Sequence, residues 1–317
     1  MNSAVEFPKP TVKRHWRSII FTGVGLIALL LMVIASSRYH WHERTWYYVS
    51  SQLNASQWVG RSVWLPAYHV EVEARPVAGI EDDLSAISFD TERKRLLAVT
   101  NAAPIKLLEL DREGTVTAQY PLLGFEDVEG LVYMGDGLLA VTDEVQQQIV
   151  IFRLPPSPGM AIDKRQAATL ALPLTSSAHN KGFEGVAYDA ANDRLFVAKE
   201  RDLRQLYAVT GLKASLGGKL QLKVEDLSEW VRRSVFGKDI SDLYFDAQTG
   251  HLLVLSDESK LVIELGSTGE VVSFRTLLGY FSDLQQSAPQ PEGLTMDDQR
   301  DLYIVSEPNL FYRFSKH

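Results

Sequence analysis

Hydrophobic and polar positions change their rhythm sharply along this chain. From Ser18 to Ala35 eighteen residues follow one another without a charge, enough for a helix covering most of a bilayer core of roughly 30 Å. Lys9, Lys13, Arg14 and Arg17 precede the run, so the positive-inside rule predicts a cytoplasmic N-terminus and places everything beyond Arg38 outside. The chain therefore reads as a cytoplasmic segment (1–17), a transmembrane signal-anchor helix (18–37), a juxtamembrane linker (38–63, helical over about 39–60) and a folded domain (64–317). Ala35-Ser36-Ser37 would also suit a leader peptidase. Against cleavage stand the long apolar run and the aromatic residues Tyr39, Trp41, Trp46, Tyr47 and Tyr48, which have the composition of an interfacial belt.

Beyond the linker the apolar positions alternate in short runs, the pattern of half-buried strands. Five segments share one order: an apolar strand ending near Asp, a turn, a second apolar strand and an acidic or polar stop. The first strands are DLSAISFD, DVEGLVYM, GFEGVAYD, DISDLYFD and QPEGLTMD, whose third residues are Ser85, Glu129, Glu184, Ser241 and Glu292. The second strands stop at Asn101, at Asp143 with Glu144, at Glu200, at Asp257 with Glu258, and at Glu307. The third residues are spaced by 44, 55, 57 and 51, room for four strands per repeat, which predicts an all-β, five-bladed β-propeller. The last repeat runs out of chain after its third strand. HVEVEARPV from His69 is an orphan strand, and pairing it with the last blade would close the ring and remove two exposed edges. A helix is predicted over Glu225–Phe236.

The words FEGVAYD, LLVLSDESK, PEGLTMD and LYIVSEPNLFYRFS resemble the SdiA-regulated (YjiK-like) family over roughly residues 64–315. The resemblance implies a five-bladed propeller, distantly NHL-repeat-like, with a bound calcium ion. The family's name refers to a regulator of its expression and implies no DNA binding.

Charge narrows the partners. Residues 1–44 carry six Lys/Arg against Glu6 and Glu43, a net +4 that leaves −12 on the remainder of a chain whose total is −8. A domain that acidic repels phosphate backbones, which excludes nucleic acid as a partner and favours cations. The absence of cysteine removes disulfides, thiolate nucleophiles and Cys-ligated zinc. No GxSxG elbow, HExxH helix or P-loop occurs.

In a propeller the first strand of each blade lines the axis, so residues at one repeat position converge near one end of the channel. Three glutamates there repel one another until protons or a cation intervene. Calcium, with six to eight oxygen ligands in flexible geometry, suits that ring better than magnesium. The expected metal residues are Glu129, Glu184 and Glu292, with Glu200 and Glu307 as further ligands or solvated rim charges. Asp83, Asp127 and Asp239 read as turn formers through Asx hydrogen bonds. The site also resembles calcium-dependent lactonase and gluconolactonase propellers, which hold their metal through Glu, Asn and Asp; no Asn stands at the ring position here. His179 is either a general base near the ring or a solvated loop residue. Two functions follow: a membrane-anchored periplasmic module of the bacterial inner membrane, binding calcium in its axial channel and presenting a face to a small-molecule or protein ligand; or a calcium-dependent hydrolase of lactones, esters or phosphoesters.

Overall fold

The structure is a computed structural model that describes residues 13–39, 41–81, 83–171, 182–199 and 204–316. Two compact units divide the chain, Met1–Trp46 and Tyr47–His317. In the first, α1 runs from Lys13 to Tyr39, 27 residues, with Ile19, Phe21, Leu26 and Leu30 among its exposed apolar side chains. Among the described residues no helix is long and apolar enough to cross a membrane. The described part of the apolar run ends at Ile34, because the side chains of Ala35 and of residues 37–40 lie outside the description.

A second helix, α2, spans Trp41–Trp58. The compact unit takes in its later turns, which the sequence reading gave to a linker. Tyr47 stacks on Phe236 with ring centroids 4.7 Å apart, and Trp58 meets His251 edge-on at 5.6 Å.

The second unit is a five-bladed propeller. Its inner strands are Leu84–Asp90, Val128–Gly135, Phe183–Asp189, Asp242–Asp246 and Gln290–Met296, in blades I to V. Each packs beside the next, and the fifth returns to the first. Blades II to V are four-stranded antiparallel sheets; in blade I a short strand, Ile162–Asp163, adds to the outer edge in parallel. The orphan strand closes the ring as expected: Tyr68–Pro76 pairs antiparallel with Leu310–Lys316 and completes blade V. One correction concerns the predicted helix at 225–236. Lys223–Asp226 is instead the outer strand of blade III, and only Ser228–Ser234 is helical. Completing a blade edge outweighs local helix propensity there.

Alternation along the strands explains the packing. In the second strand of blade I, Leu97 and Val99 face blade II while Leu96 and Ala98 face blade V. Repeated around the ring, this sorts the buried apolar side chains of the described residues into five clusters, one in each gap between blades. Both faces of every blade are buried, so each gap is a sheet-on-sheet core.

The Asp that ends the inner strand is structural. Asp90 accepts from the backbone N–H groups of Glu92 and Arg93 at 3.1 and 3.0 Å and pairs with Arg95. Asp189 and Asp246 clamp their hairpins in the same way. Asp297 holds the N–H groups of Gln299 and Asp301, each at 2.9 Å. These Asx turns set the hairpin register and leave the ligand question to the opposite rim.

Candidate functional site at the propeller rim

The ring position coincides with a break in strand pairing. Register shifts fall between Leu84 and Ala86, Val128 and Leu131, Phe183 and Val186, and Pro291 and Gly293. Ser85, Glu129, Glu184 and Glu292 are thus the bulged residues of their strands, and a bulge re-aims the side chain that it leaves unpaired. Blade IV is the exception, with continuous pairing from Asp242 to Asp246.

The residue after the ring position explains the recurrent Glu-Gly. A Cβ on Gly130 would lie 2.3 Å from the Glu184 carbonyl oxygen; on Gly185, 2.7 Å from the Asp242 Cα; on Gly293, 2.8 Å from the Ala86 Cα. Each glycine lets an inner strand close on its neighbour. Glu129 and Glu184 therefore stand on strands in backbone contact, whereas Glu292 has blade I and Ser85 between it and Glu129.

Blade IV carries Asp242 where three blades carry glycine. It is fully buried and accepts from the Leu294 N–H of blade V at 2.8 Å. Burial pushes its carboxyl well above the usual carboxylate range, against hydrogen bonds from the N–H groups of Leu294, Leu243 and Val186. The sign follows: above the unfolded-state value, near 4, the unfolded chain releases this proton and the folded chain keeps it, so stability falls as pH rises until the folded carboxyl ionises. Asp242→Asn should remove this dependence. Urea unfolding at pH 5 and pH 6 should show wild type losing more stability than the variant over that one unit; parallel losses would refute the assignment.

Among the described residues one carboxylate cluster has metal-ligand spacing. Asp127, Glu129 and Glu144 each offer an oxygen, all within 4.8 Å of one another, and all three are half-buried. Asp127 and Glu129 begin the inner strand of blade II. Glu144 follows its second strand, and its N–H donates to the Asp127 carbonyl at 2.9 Å. Neighbouring blades brace the group: Asn101 Nδ2 of blade I donates to Glu129 Oε1 at 2.7 Å, and Gly182 N–H of blade III donates to Glu144 Oε1 at 2.9 Å. Two like charges at this separation repel by about 3 kcal/mol at an effective dielectric near 20. A hard divalent cation would relieve that repulsion, and the all-oxygen donor set fits calcium.

The cluster keeps Glu129 of the expected metal set and adds two residues. Glu184 is buried on the adjacent inner strand, and Glu292 and Glu307 are half-buried at the rim of blade V; none of these three belongs to the cluster. Glu200 and His179 lie outside the described residues. Asp127 had been read as a turn former. Asp239, read in the same way, instead accepts from the Glu258 N–H at 3.0 Å and from the Ser256 hydroxyl, so it ties the end of the second strand of blade IV to the start of the first rather than forming an Asx turn. Asp143 is spent on Lys164, 2.6 Å away, and Asp257 on Lys260. Glu144 was legible through antiparallel register: a residue just past the second strand lies opposite one just before the first.

At the other end the axis opens into a cavity of about 190 Å³, lined by Phe89, Tyr133, Tyr188, Tyr244 and Met296 among others. That is below the roughly 300–1,000 Å³ of ordinary ligand pockets.

Fold and rim together define a five-bladed propeller with a carboxylate cluster braced by three blades. The sequence profile of the SdiA-regulated family matches residues 60–315, and the chain belongs to that family. Similar solved structures include a luciferin-regenerating enzyme (12% identity, TM-score 0.49, 78% of this chain and 95% of that one). Another is regucalcin, a calcium-binding protein of Agrobacterium tumefaciens (10%, 0.48, 78% and 94%). A gluconolactonase of Xanthomonas campestris is a third (15%, 0.42, 72% and 70%). Nothing about the site follows from likenesses this remote.

Proposed function

We propose that this protein is a membrane-tethered calcium-binding propeller of the bacterial inner membrane, with its propeller in the periplasm and its rim presented to a small-molecule or protein ligand. The observation that carries the metal is the convergence of Asp127, Glu129 and Glu144 within 4.8 Å, with Asn101 and Gly182 holding two of the carboxylates in place. Glu184, on the neighbouring inner strand, is the member of the expected set that we assign to complete the coordination. The tether rests on the uncharged run Ser18–Ala35 and the basic residues before it. Most of that run lies on α1. The exposed apolar side chains along that helix suit lipid rather than water.

Calcium should raise the melting temperature of the purified chain. An ion bound by the folded state alone stabilises by about 2.7 kcal/mol at a hundredfold excess over its dissociation constant, which is roughly 5–10 °C for a domain of this size. Differential scanning calorimetry with calcium, magnesium and EGTA checks this. The shift should vanish in Asp127→Asn/Glu144→Gln, and a wild-type melting temperature indifferent to calcium up to millimolar levels would sink the metal reading.

A further inference from the structure

The axial cavity at the hairpin end of the blades is built from repeat positions. Two residues after the ring position stand Ile87, Leu131, Val186, Leu243 and Leu294, none more than 2% exposed, which form its inner end from aliphatic surface. Four residues after it stand Phe89, Tyr133, Tyr188, Phe245 and Met296, a collar of rings and one thioether nearer the hairpins. The collar tyrosines spend their hydroxyls on the hairpins: Tyr133 Oη accepts from the Gly137 N–H at 2.9 Å, and Tyr188 donates to Asp193 Oδ1 at 2.8 Å. What they give the cavity is ring surface. Between the two rings lie Ser88 and Thr295. Ser88 Oγ accepts from the Tyr133 N–H at 2.9 Å, which leaves its own proton to be donated. Thr91, Gly135, Ala190 and Ala247, small residues at the hairpins, border the mouth.

We propose that this cavity is a second ligand site, for a neutral monocyclic molecule of about seven to nine non-hydrogen atoms that carries one oxygen acceptor. Size sets the first limit. An apolar cavity of about 150 Å³ takes benzene, and this one, at about 190 Å³, has room for a ring with one small substituent. Charge sets the second. Although the domain is acidic, no Asp, Glu, Lys, Arg or His is among the described residues lining the cavity, so an ion entering it would lose its hydration without gaining a partner. The collar favours a flat ring, offset or edge-on, and the Ser88 hydroxyl supplies a donor for its oxygen. Water in the same space meets mostly apolar wall, and displacing poorly held water by a ring is favourable. The site lies at the opposite end of the axis from the carboxylate cluster and needs no metal.

The chain has only five methionines, and two of them, Met134 and Met296, line the cavity. The full-length chain in detergent, carrying carbon-13 at its methionine methyl groups, would be titrated by NMR with benzamide and with benzoate, which share a shape and differ in charge. Benzamide should shift the Met134 and Met296 signals saturably, with a dissociation constant of about 1 mM or below. Benzoate should bind at least about a hundredfold more weakly. Met32, on α1, reports ligand taken up by the detergent, and Met160, 49% exposed, reports loose adhesion to apolar surface. Val132→Phe, at a half-buried position on the cavity wall, should fill the space and abolish the Met296 shift while the melting temperature stays near that of wild type. Met134 and Met296 signals that stay in place, that move as far with benzoate, or that follow Met160 at every concentration would each overturn the proposal. The wild-type titration decides the matter even if Val132→Phe fails to fold.

Discussion

Gly130→Ala should cost about 3 kcal/mol of folding stability and loosen the rim site, the larger effect being on calcium binding. The added Cβ would meet the Glu184 carbonyl oxygen at 2.3 Å, with Thr142 Oγ1 and Val186 Cγ2 each at 3.1 Å. The nearest obstacle is backbone, so no rotamer change can yield space. The inner strands of blades II and III must part, and overpacking of that kind usually costs about 1–3 kcal/mol. Gly130 also donates its N–H to Thr142 Oγ1 at 2.7 Å, which the same displacement would stretch. Glu129 and Glu184 flank the contact, so the geometry that holds the carboxylates moves with it. Urea unfolding of the purified chain in detergent measures the stability, and calcium-dependent melting measures the site. Gly217→Ala is the control: its Cβ would meet the Ala214 carbonyl oxygen at an ordinary 3.4 Å, and stability should stay within about 0.5 kcal/mol. Equal, small effects at both positions would show that the close approach of the inner strands is dispensable.

Removing the Glu264 carboxylate should destabilise the propeller by about 3–5 kcal/mol, the range seen when one partner of a buried charged network is lost. Glu264 is fully buried on the third strand of blade IV. It accepts from the N–H groups of Val63 and Trp64 at 2.7 and 3.0 Å, from Ser273 Oγ at 2.5 Å, and meets His251 Nδ1 at 2.7 Å. Through Val63 and Trp64 it pins the segment between α2 and the closing strand of blade V, and Trp64 holds a left-handed φ of 58° in doing so. Glu264→Ala would leave the buried Val63 N–H and the half-buried Trp64 N–H without their acceptor, the buried one worth about 1–3 kcal/mol. Hydrogen exchange at Val63 and Trp64 should accelerate with the fall in stability. Unchanged exchange alongside full stability would mean that the ring closes without this clamp. Since the clamp also seats the end of α2, the same variant should weaken the docking of Trp58 on His251.

The architecture was legible because a propeller repeats. Five copies of one strand order define both the blade count and the rim position, and an orphan strand at one end with a missing strand at the other predicts how the ring closes. The Glu-Gly pairs were legible as a pattern, and the carboxylate cluster takes up Glu129 from it. Their glycines answer a steric demand between neighbouring inner strands, while their glutamates sit on bulges whose direction no strand pattern reveals. Asp127 looked like a turn former because Asx turns are the usual work of an Asp before a strand. Only the backbone contact with Glu144 gives it a second carboxylate to work with.

What the residues alone determined, then, is the apolar run at the start, the alternation that makes strands, the fivefold order that winds them around an axis and the acidity of the rim. These follow from local preference and burial, which act on each segment wherever it sits. Folding in three dimensions decided which carboxylates meet, that Asp242 is buried across a blade gap, that Glu264 clamps a segment two hundred positions away, and that α2 faces the propeller with Tyr47 and turns Leu53 outward. Those outcomes depend on bulges, close approaches and docking between distant parts of the chain, and a bulge of one residue is enough to redirect a side chain from its neighbour to the rim.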